Sequence, residues 1–146
     1  MTGSAMTIRR AREALGLSLA EVAKRVGASA DELFDLEAYD DELLTSVKVQ
    51  RIRDLLKVLA LDVSDVFPVP TAPGNTVATY EELAQAVKDH LLRTGQSIGL
   101  FEVDVGWELF GALANPARFG DLNLDGLYAV AHAVRVDPRP LFQSRR

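Results

Sequence analysis

The apolar positions of this chain follow helical spacing in two related stretches. Residues 49–67 and 124–142 align at an offset of 75, with apolar residues matched to apolar residues. The matched pairs are Val49 with Leu124, Ile52 with Leu127, Leu55 with Val130, Leu59 with Val134, Asp62 with Asp137 and Phe67 with Phe142. A repeat of this size predicts two copies of one helical unit, because each copy must bury its apolar stripe or share it with the other.

Start and stop signals divide the first copy into short helices. The spacing predicts a first helix over residues 8–15, and residues 18–21 and 29–32 each have the spacing of a capping box that opens a helix. A longer amphipathic helix is predicted over residues 47–60, followed by a closing turn over residues 63–67. Residues 1–6 show no periodicity, so we expect them to lie outside the fold.

The second copy begins after a proline-rich stretch at residues 68–75 that cannot continue a helix. A third capping box at residues 79–82 opens a helix that is predicted to reach Arg93. Residues 96–106 align with residues 17–27 at an offset of 79, whereas the two long helices align at 75. We therefore expect the second copy to have lost a few residues around its second and third helices.

The expected fold is all-α, with two units of about five helices each. The first unit spans residues 7–67, the linker residues 68–78 and the second, degenerate unit residues 79–142. Units of roughly 60 residues bury little surface alone, so we expect the copies to pack against each other or against a second chain.

The order of residues in the first unit resembles the Cro/cI-like (XRE-type) helix-turn-helix family. The residues that carry the resemblance are Leu17-Ser18, Ala23, Gly27, Ser29, Leu36-Glu37 and the segment from Leu59 to Val63. Asn115-Pro116, Leu122, Leu127, Ala131 and the segment from Val136 to Pro138 look like the back half of the same pattern. The resemblance implies tandem lambda-repressor-like units, in which the second helix of a pair enters the major groove and dimers span two half-sites.

That resemblance places a recognition helix at residues 29–36. The DNA-binding candidates that follow from it are Arg9, Arg10, Lys24, Arg25, Ser29, Lys48 and Arg51. The arginines of the first helix are also consistent with ordinary solubilising charge. The second unit is expected to serve pairing, either in a homodimer or as one half of an intrachain pseudo-dimer.

The charge of the chain departs from what duplex binding needs. The formal net charge is −5, and residues 31–42 contain seven acids and no base. Leu19 also stands where the family usually has glutamine. Three interpretations remain open, namely a solvated helix face, a base reader in the groove and a surface that repels DNA or docks a basic partner. The partner-binding candidates are Asp31, Glu32, Asp35, Asp40, Asp41 and Glu42.

Other chemistry is not indicated by the sequence. There is no cysteine, no glycine-rich phosphate loop and no HExxH spacing, so we expect no enzymatic activity, no cofactor and no metal. His90 and His132 are expected to be structural or exposed, and Trp107, Phe110 and Phe119 to fill the core. The chain lacks an apolar run of about 18 residues and a signal peptide, which predicts a cytoplasmic protein with no membrane partner.

Two functional hypotheses follow from these observations. The first is a helix-turn-helix transcriptional regulator that binds duplex DNA through its first unit and pairs through its second. The second is a protein-interaction module, antitoxin-like or anti-repressor, that kept the fold, lost DNA binding and uses its acidic face on a basic partner. The side chains that face outward from residues 29–36 distinguish the two hypotheses.

Overall fold

The computed structural model describes residues 3–66, 75–109 and 111–142, and these are mostly helical. We call residues 3–66 the N-terminal half and the remaining described residues the C-terminal half. The N-terminal half contains α1 (Ser4–Ala14), α2 (Leu19–Val26), α3 (Ala30–Ala38), α4 (Glu42–Thr45), α5 (Val49–Leu59) and α6 (Val63–Val66). Predictions for Phe67, the linker up to residue 74 and Phe110 lie outside the described residues.

The C-terminal half is also helical, with two very short strands. It contains β1 (Asn75–Thr76), α7 (Tyr80–Thr94), α8 (Ile98–Val105), the 3-10 helix η1 (Pro116–Asp121), α9 (Leu124–Ala133), β2 (Val136–Asp137) and the 3-10 helix η2 (Arg139–Phe142). The predicted helical class is confirmed. The parallel pairing of β1 with β2, in which Asn75 lies opposite Val136, was not predicted.

Side-chain capping explains where α2 and α3 begin. The Ser18 hydroxyl accepts a hydrogen bond from the Glu21 backbone N–H at 3.1 Å, and the Glu21 carboxylate accepts one from the Ser18 backbone N–H at 3.0 Å. A second reciprocal box at residues 29–32 opens α3. These two predicted boxes are confirmed, and each satisfies two backbone donors that a helix start leaves unpaired. The third, at residues 79–82, is only half formed, because the Glu82 carboxylate accepts from the Ala78 backbone N–H at 2.9 Å and not from that of Thr79.

Helix α1 begins at Ser4, four residues before its predicted start, because its cap comes from far along the chain. The Asp40 carboxylate accepts a hydrogen bond from the Ala5 backbone N–H at 3.0 Å, and the Ser4 hydroxyl donates to the Asp40 carbonyl at 2.8 Å. Ser4 and Ala5 are both buried. The expectation that residues 1–6 lie outside the fold is therefore wrong for residues 4–6.

Unusual backbone conformations recur at matched positions of the two halves. Ala60 after α5 and Arg135 after α9 are 75 residues apart, and both are left-handed, with φ of 55° and 59°. Gly27 and Gly106 end α2 and α8, 79 residues apart, in the same conformation. The matching extends to the turns, since Asp62 and Asp137 each accept a hydrogen bond from the backbone N–H two residues later.

The halves differ in the segment that corresponds to α3. Residues 107–109 and 111–115 form turns and irregular structure, and the chain then enters η1. This is where the alignment offset falls from 79 to 75. The C-terminal half thus retains counterparts of α2 and α5 without a counterpart of the intervening helix among its described residues.

The two halves share one hydrophobic core. Helix α5 packs against η1 and η2, and α4 packs against α9. The Val49 backbone N–H donates to the Leu122 carbonyl at 2.7 Å, beside an antiparallel bridge between Lys48 and Asn123. Lys48 and Asn123 are themselves 75 residues apart, and an antiparallel contact between matched residues is what a twofold axis generates. The two halves are therefore in direct contact along this seam.

Candidate interaction surface on helix α3

Helix α3 turns Leu33 and Leu36 inward and Asp31 and Asp35 outward. Leu33 and Leu36 are 1% and 2% exposed and hold the helix in the core. Asp31 and Asp35 lie one helical turn apart on the opposite side and are exposed, and Phe34 beside them is 58% exposed. The predicted recognition helix carries no basic or amide side chain at any position.

An almost buried ion pair fixes α3 against α1. Arg12 donates to both carboxylate oxygens of Glu37, from Nε at 2.7 Å and from a terminal nitrogen at 2.9 Å. The two side chains are 14% and 7% exposed. Hydrogen bonding to Glu37 raises the pKa of Arg12. Arg12 also donates to the Leu17 carbonyl at 2.8 Å, so one guanidinium joins three segments and orients α3.

Two of the partner-binding candidates are used inside the fold. Glu32 accepts a hydrogen bond from its own capping partner Ser29 and forms an ion pair with Arg51 at 2.7 Å. Asp40 caps α1 through Ala5. Their charges are therefore partly satisfied within the chain and contribute less to an external partner.

The remaining acids have no ion-pair partner among the described residues. They are Asp31 and Asp35 on α3 and Asp41 and Glu42 at the start of α4. Tyr39, which ends α3, is 57% exposed. We call Asp31, Phe34, Asp35 and Tyr39 the α3 surface. It combines exposed aromatic rings with uncompensated carboxylates.

The DNA-binding candidates do not all remain available for phosphate. Within the described residues, Arg51 pairs with Glu32, Lys48 lies 3.7 Å from Asp121 and Arg9 lies 3.8 Å from Glu13. The Lys48 backbone also takes part in the seam between the halves, whereas its side chain is 70% exposed. The Ser29 hydroxyl is engaged as the cap of α3.

Three of the basic candidates are exposed and form no ion pair within the described chain. These are Arg10 on α1 and Lys24 and Arg25 in the last turn of α2. Arg25 also helps to lower the pKa of Glu21, after the larger effect of the Glu21 hydrogen bonds to Ser18. Only three of the DNA-binding candidates are thus exposed basic residues without an ion pair in the described chain, and the predicted recognition helix itself is acidic.

Helix α8, the counterpart of α2, presents an apolar outer face. Leu100 and Val103 are 54% and 75% exposed, and they stand where α2 has Glu21 and Lys24. Ile98 and, at the end of α7, Leu92 are exposed as well. Sequence reasoning missed this face because it assigned apolar helix positions to the core. The sequence signal that could have revealed this face is that Leu100 and Val103 lie 79 residues after the charged residues Glu21 and Lys24.

Phe119, Trp107 and His90 of the C-terminal half each pack against neighbouring residues, whereas His132 is exposed. Phe119 is fully buried, and half-buried Trp107 packs on α9, where a Cβ on Gly126 would come within 3.0 Å of its ring. His90 packs edge-on against buried Phe101, with ring centroids 5.5 Å apart. Across the described ranges, no three metal-ligating side chains come together.

No protein-family model and no curated protein sequence matches the chain. In the part of the chain that the structure describes, no helix has both the length and the apolar composition needed to cross a bilayer.

Proposed function

We propose that the chain is a protein-interaction module, built as tandem lambda-repressor-like units, that docks a basic partner protein on the α3 surface. The observation that carries the proposal is the outward face of α3, where Asp31, Phe34 and Asp35 stand in place of base-reading side chains. In this proposal the helix-turn-helix frame is a scaffold that positions α3.

Charge opposes insertion of α3 into a DNA groove. Two like charges about 4 Å apart repel by about 1 kcal/mol in bulk water and by about 4 kcal/mol at the lower effective dielectric of a protein surface. Asp31 and Asp35 would each face a phosphate-lined wall, and Glu32 lies beside them. The same carboxylates attract lysine and arginine on a protein partner.

The exposed aromatic rings favour a protein partner of defined chemistry. Buried aromatic anchors surrounded by a polar rim are typical of protein interfaces, where they supply much of the binding energy. Phe34 is a candidate anchor, and Asp31 and Asp35 flank it. The partner that fits is a surface with an apolar pocket ringed by basic side chains.

A Lys/Leu amphipathic helical peptide provides a direct probe of this surface. We expect Phe34→Ala and Asp31→Lys each to weaken its binding about tenfold, measured by fluorescence anisotropy. The matched control is Glu81→Lys, because Glu81 and Asp31 occupy the same exposed position in the first turn of a helix. Equal weakening by Glu81→Lys would show that the peptide responds only to the net charge of the protein, and that the α3 surface is not its binding site.

Duplex binding by a transcriptional regulator is the second candidate function, with the second unit used for pairing. It is favoured by the exposed positions of Arg10, Lys24 and Arg25. If these residues contact phosphates, affinity for a mixed-sequence duplex falls steeply between about 50 and about 200 mM salt. Replacement of Lys24 by Glu then abolishes binding, whereas Lys57→Glu, in the last turn of α5, leaves it unchanged. The protein-interaction proposal predicts no duplex binding even at about 50 mM salt.

A further inference from the structure

A cleft lies in the C-terminal half, away from the α3 surface. It is formed by the end of α7, the end of α9 and the β1–β2 pair, and its volume is about 610 Å³. Sites for small molecules commonly range from about 300 to 1,000 Å³. The cleft is therefore large enough for a small organic ligand, and none of the functions considered above uses it.

The cleft is cationic although the chain is acidic. Arg93 and Arg135 line it together with His90, and Arg93 lies 3.4 Å from Nδ1 of His90. The one carboxylate among the lining residues, that of Asp89, accepts a hydrogen bond from Gln85 at 2.9 Å. The lining thus includes two arginines and one engaged carboxylate, in a chain whose net charge is −5.

The position of Arg135 depends on an uncommon backbone conformation. Its φ of 59° turns the chain from α9 into β2, which then pairs with β1. Left-handed backbone is unfavourable for a residue with a Cβ, and glycine is the usual solution. The matched position of the N-terminal half has Ala60, so the turn itself does not require a charged side chain.

Apolar side chains complete the lining. Ala86 comes from α7, and Ala133, Val134 and Val136 come from the end of α9 and from β2. The planar forks of arginine match the oxygens of phosphate in paired hydrogen bonds, and the apolar part of the lining suits a carbon skeleton. We infer that this cleft binds a small organic phosphate, with Arg93 and Arg135 on the phosphate group.

Phenyl phosphate is the probe for this site, and the amide resonances of Thr94 and Val136 in the full chain are the readout. We expect saturable shifts on titration, with binding weakened about tenfold or more in Arg93→Gln with Arg135→Gln. The matched control is Arg9→Gln with Arg10→Gln, which removes two exposed arginines from α1 and should leave binding unchanged.

Three results would overturn the inference. These are equal weakening by the α1 control pair, binding of phenol as tight as that of phenyl phosphate, and binding of inorganic phosphate as tight as that of phenyl phosphate. The first result would show that binding does not occur in the cleft. The second would show that the arginines do not bind the phosphate group, and the third that the cleft does not recognise the organic part of the ligand. Unchanged thermal unfolding of the Arg93 and Arg135 variant is expected, since both side chains are exposed, and it separates lost binding from lost folding.

Discussion

Helices α2 and α8 occupy matched places in the two halves but differ in what surrounds them. Helix α2 is followed by α3 and exposes Glu21 and Lys24, whereas α8 is followed by irregular chain and exposes Leu100 and Val103. On the inner face, Val22 and Val26 of α2 correspond to the apolar residues Phe101 and Val105 of α8, whereas Ala23 corresponds to Glu102. The comparison shows that a shared core constrains the inner face of a repeated helix and leaves its outer face and its neighbour free to change.

The strongest test of this comparison asks whether the halves fold as one body. Ile52→Ala in the N-terminal half should lower the free energy of unfolding by about 4 kcal/mol, because Ile52 is fully buried in the shared core. Fluorescence of Trp107, which lies in the other half, should follow the same shifted urea transition. A Trp107 transition unmoved by Ile52→Ala would show two independent cores.

A second test concerns the ion pair that holds α3, a contact with no parallel in the C-terminal half. There Leu91 stands 79 residues after Arg12. Arg12→Met should cost about 3 kcal/mol, because it leaves the nearly buried Glu37 carboxylate without its partner. Arg9→Met, at an exposed pair, should change the free energy of unfolding by less than about 0.5 kcal/mol in the same urea denaturation. Equal costs would contradict the role assigned to the Arg12 pair.

Replacing the matched residues Asp137 and Asp62 is expected to change the free energy of unfolding by different amounts, and the difference should be small and depend on pH. Hydrogen bonds from Arg139 lower the pKa of Asp137. A carboxyl group whose pKa is lower in the folded than in the unfolded state stabilises the fold at pH values above its unfolded-state pKa. This stabilisation is lost as pH falls through the folded-state pKa. Asp137→Asn should therefore cost about 1–2 kcal/mol near neutral pH, and the deficit should shrink below about pH 4.

Thermal unfolding across pH measures this deficit, with Asp62→Asn as the matched variant. Asp62 is exposed and its loss removes only a local turn contact, so a smaller destabilisation is expected at neutral pH. A deficit for Asp137→Asn that stays constant from neutral pH to about pH 2 would contradict a charge-based origin.

The smallest effect is expected on the outer face of α8. Val103→Lys restores the residue type found at the matched position of α2 and should change the free energy of unfolding by less than about 0.5 kcal/mol, since Val103 is 75% exposed. Val105→Lys, closer to the core on the same helix, is the comparison and should cost more. A large cost for Val103→Lys in urea denaturation would show that this face is covered.

Much of the helical structure was predictable because its causes are local. Apolar spacing and Asn123, which caps the helix with its side chain, define α9, whose observed bounds of Leu124–Ala133 lie within the helically spaced stretch of residues 124–142. The Ser18 and Ser29 boxes were likewise visible in four-residue windows. The candidate surface was partly predictable in the same way, since Asp31 and Asp35 lie opposite Leu33 and Leu36 on any helix drawn through them.

The sequence by itself determined the helical class and the acidic outer face of α3, because helical periodicity and capping act between residues only a few positions apart. Tertiary structure decided the start of α1, the β1–β2 pair, the Arg12–Glu37 contact and the cleft around Arg93 and Arg135. Each of these joins residues that are distant along the chain or depends on how helices pack. Such partners are selected by the geometry of the shared core, which no local pattern of residues records.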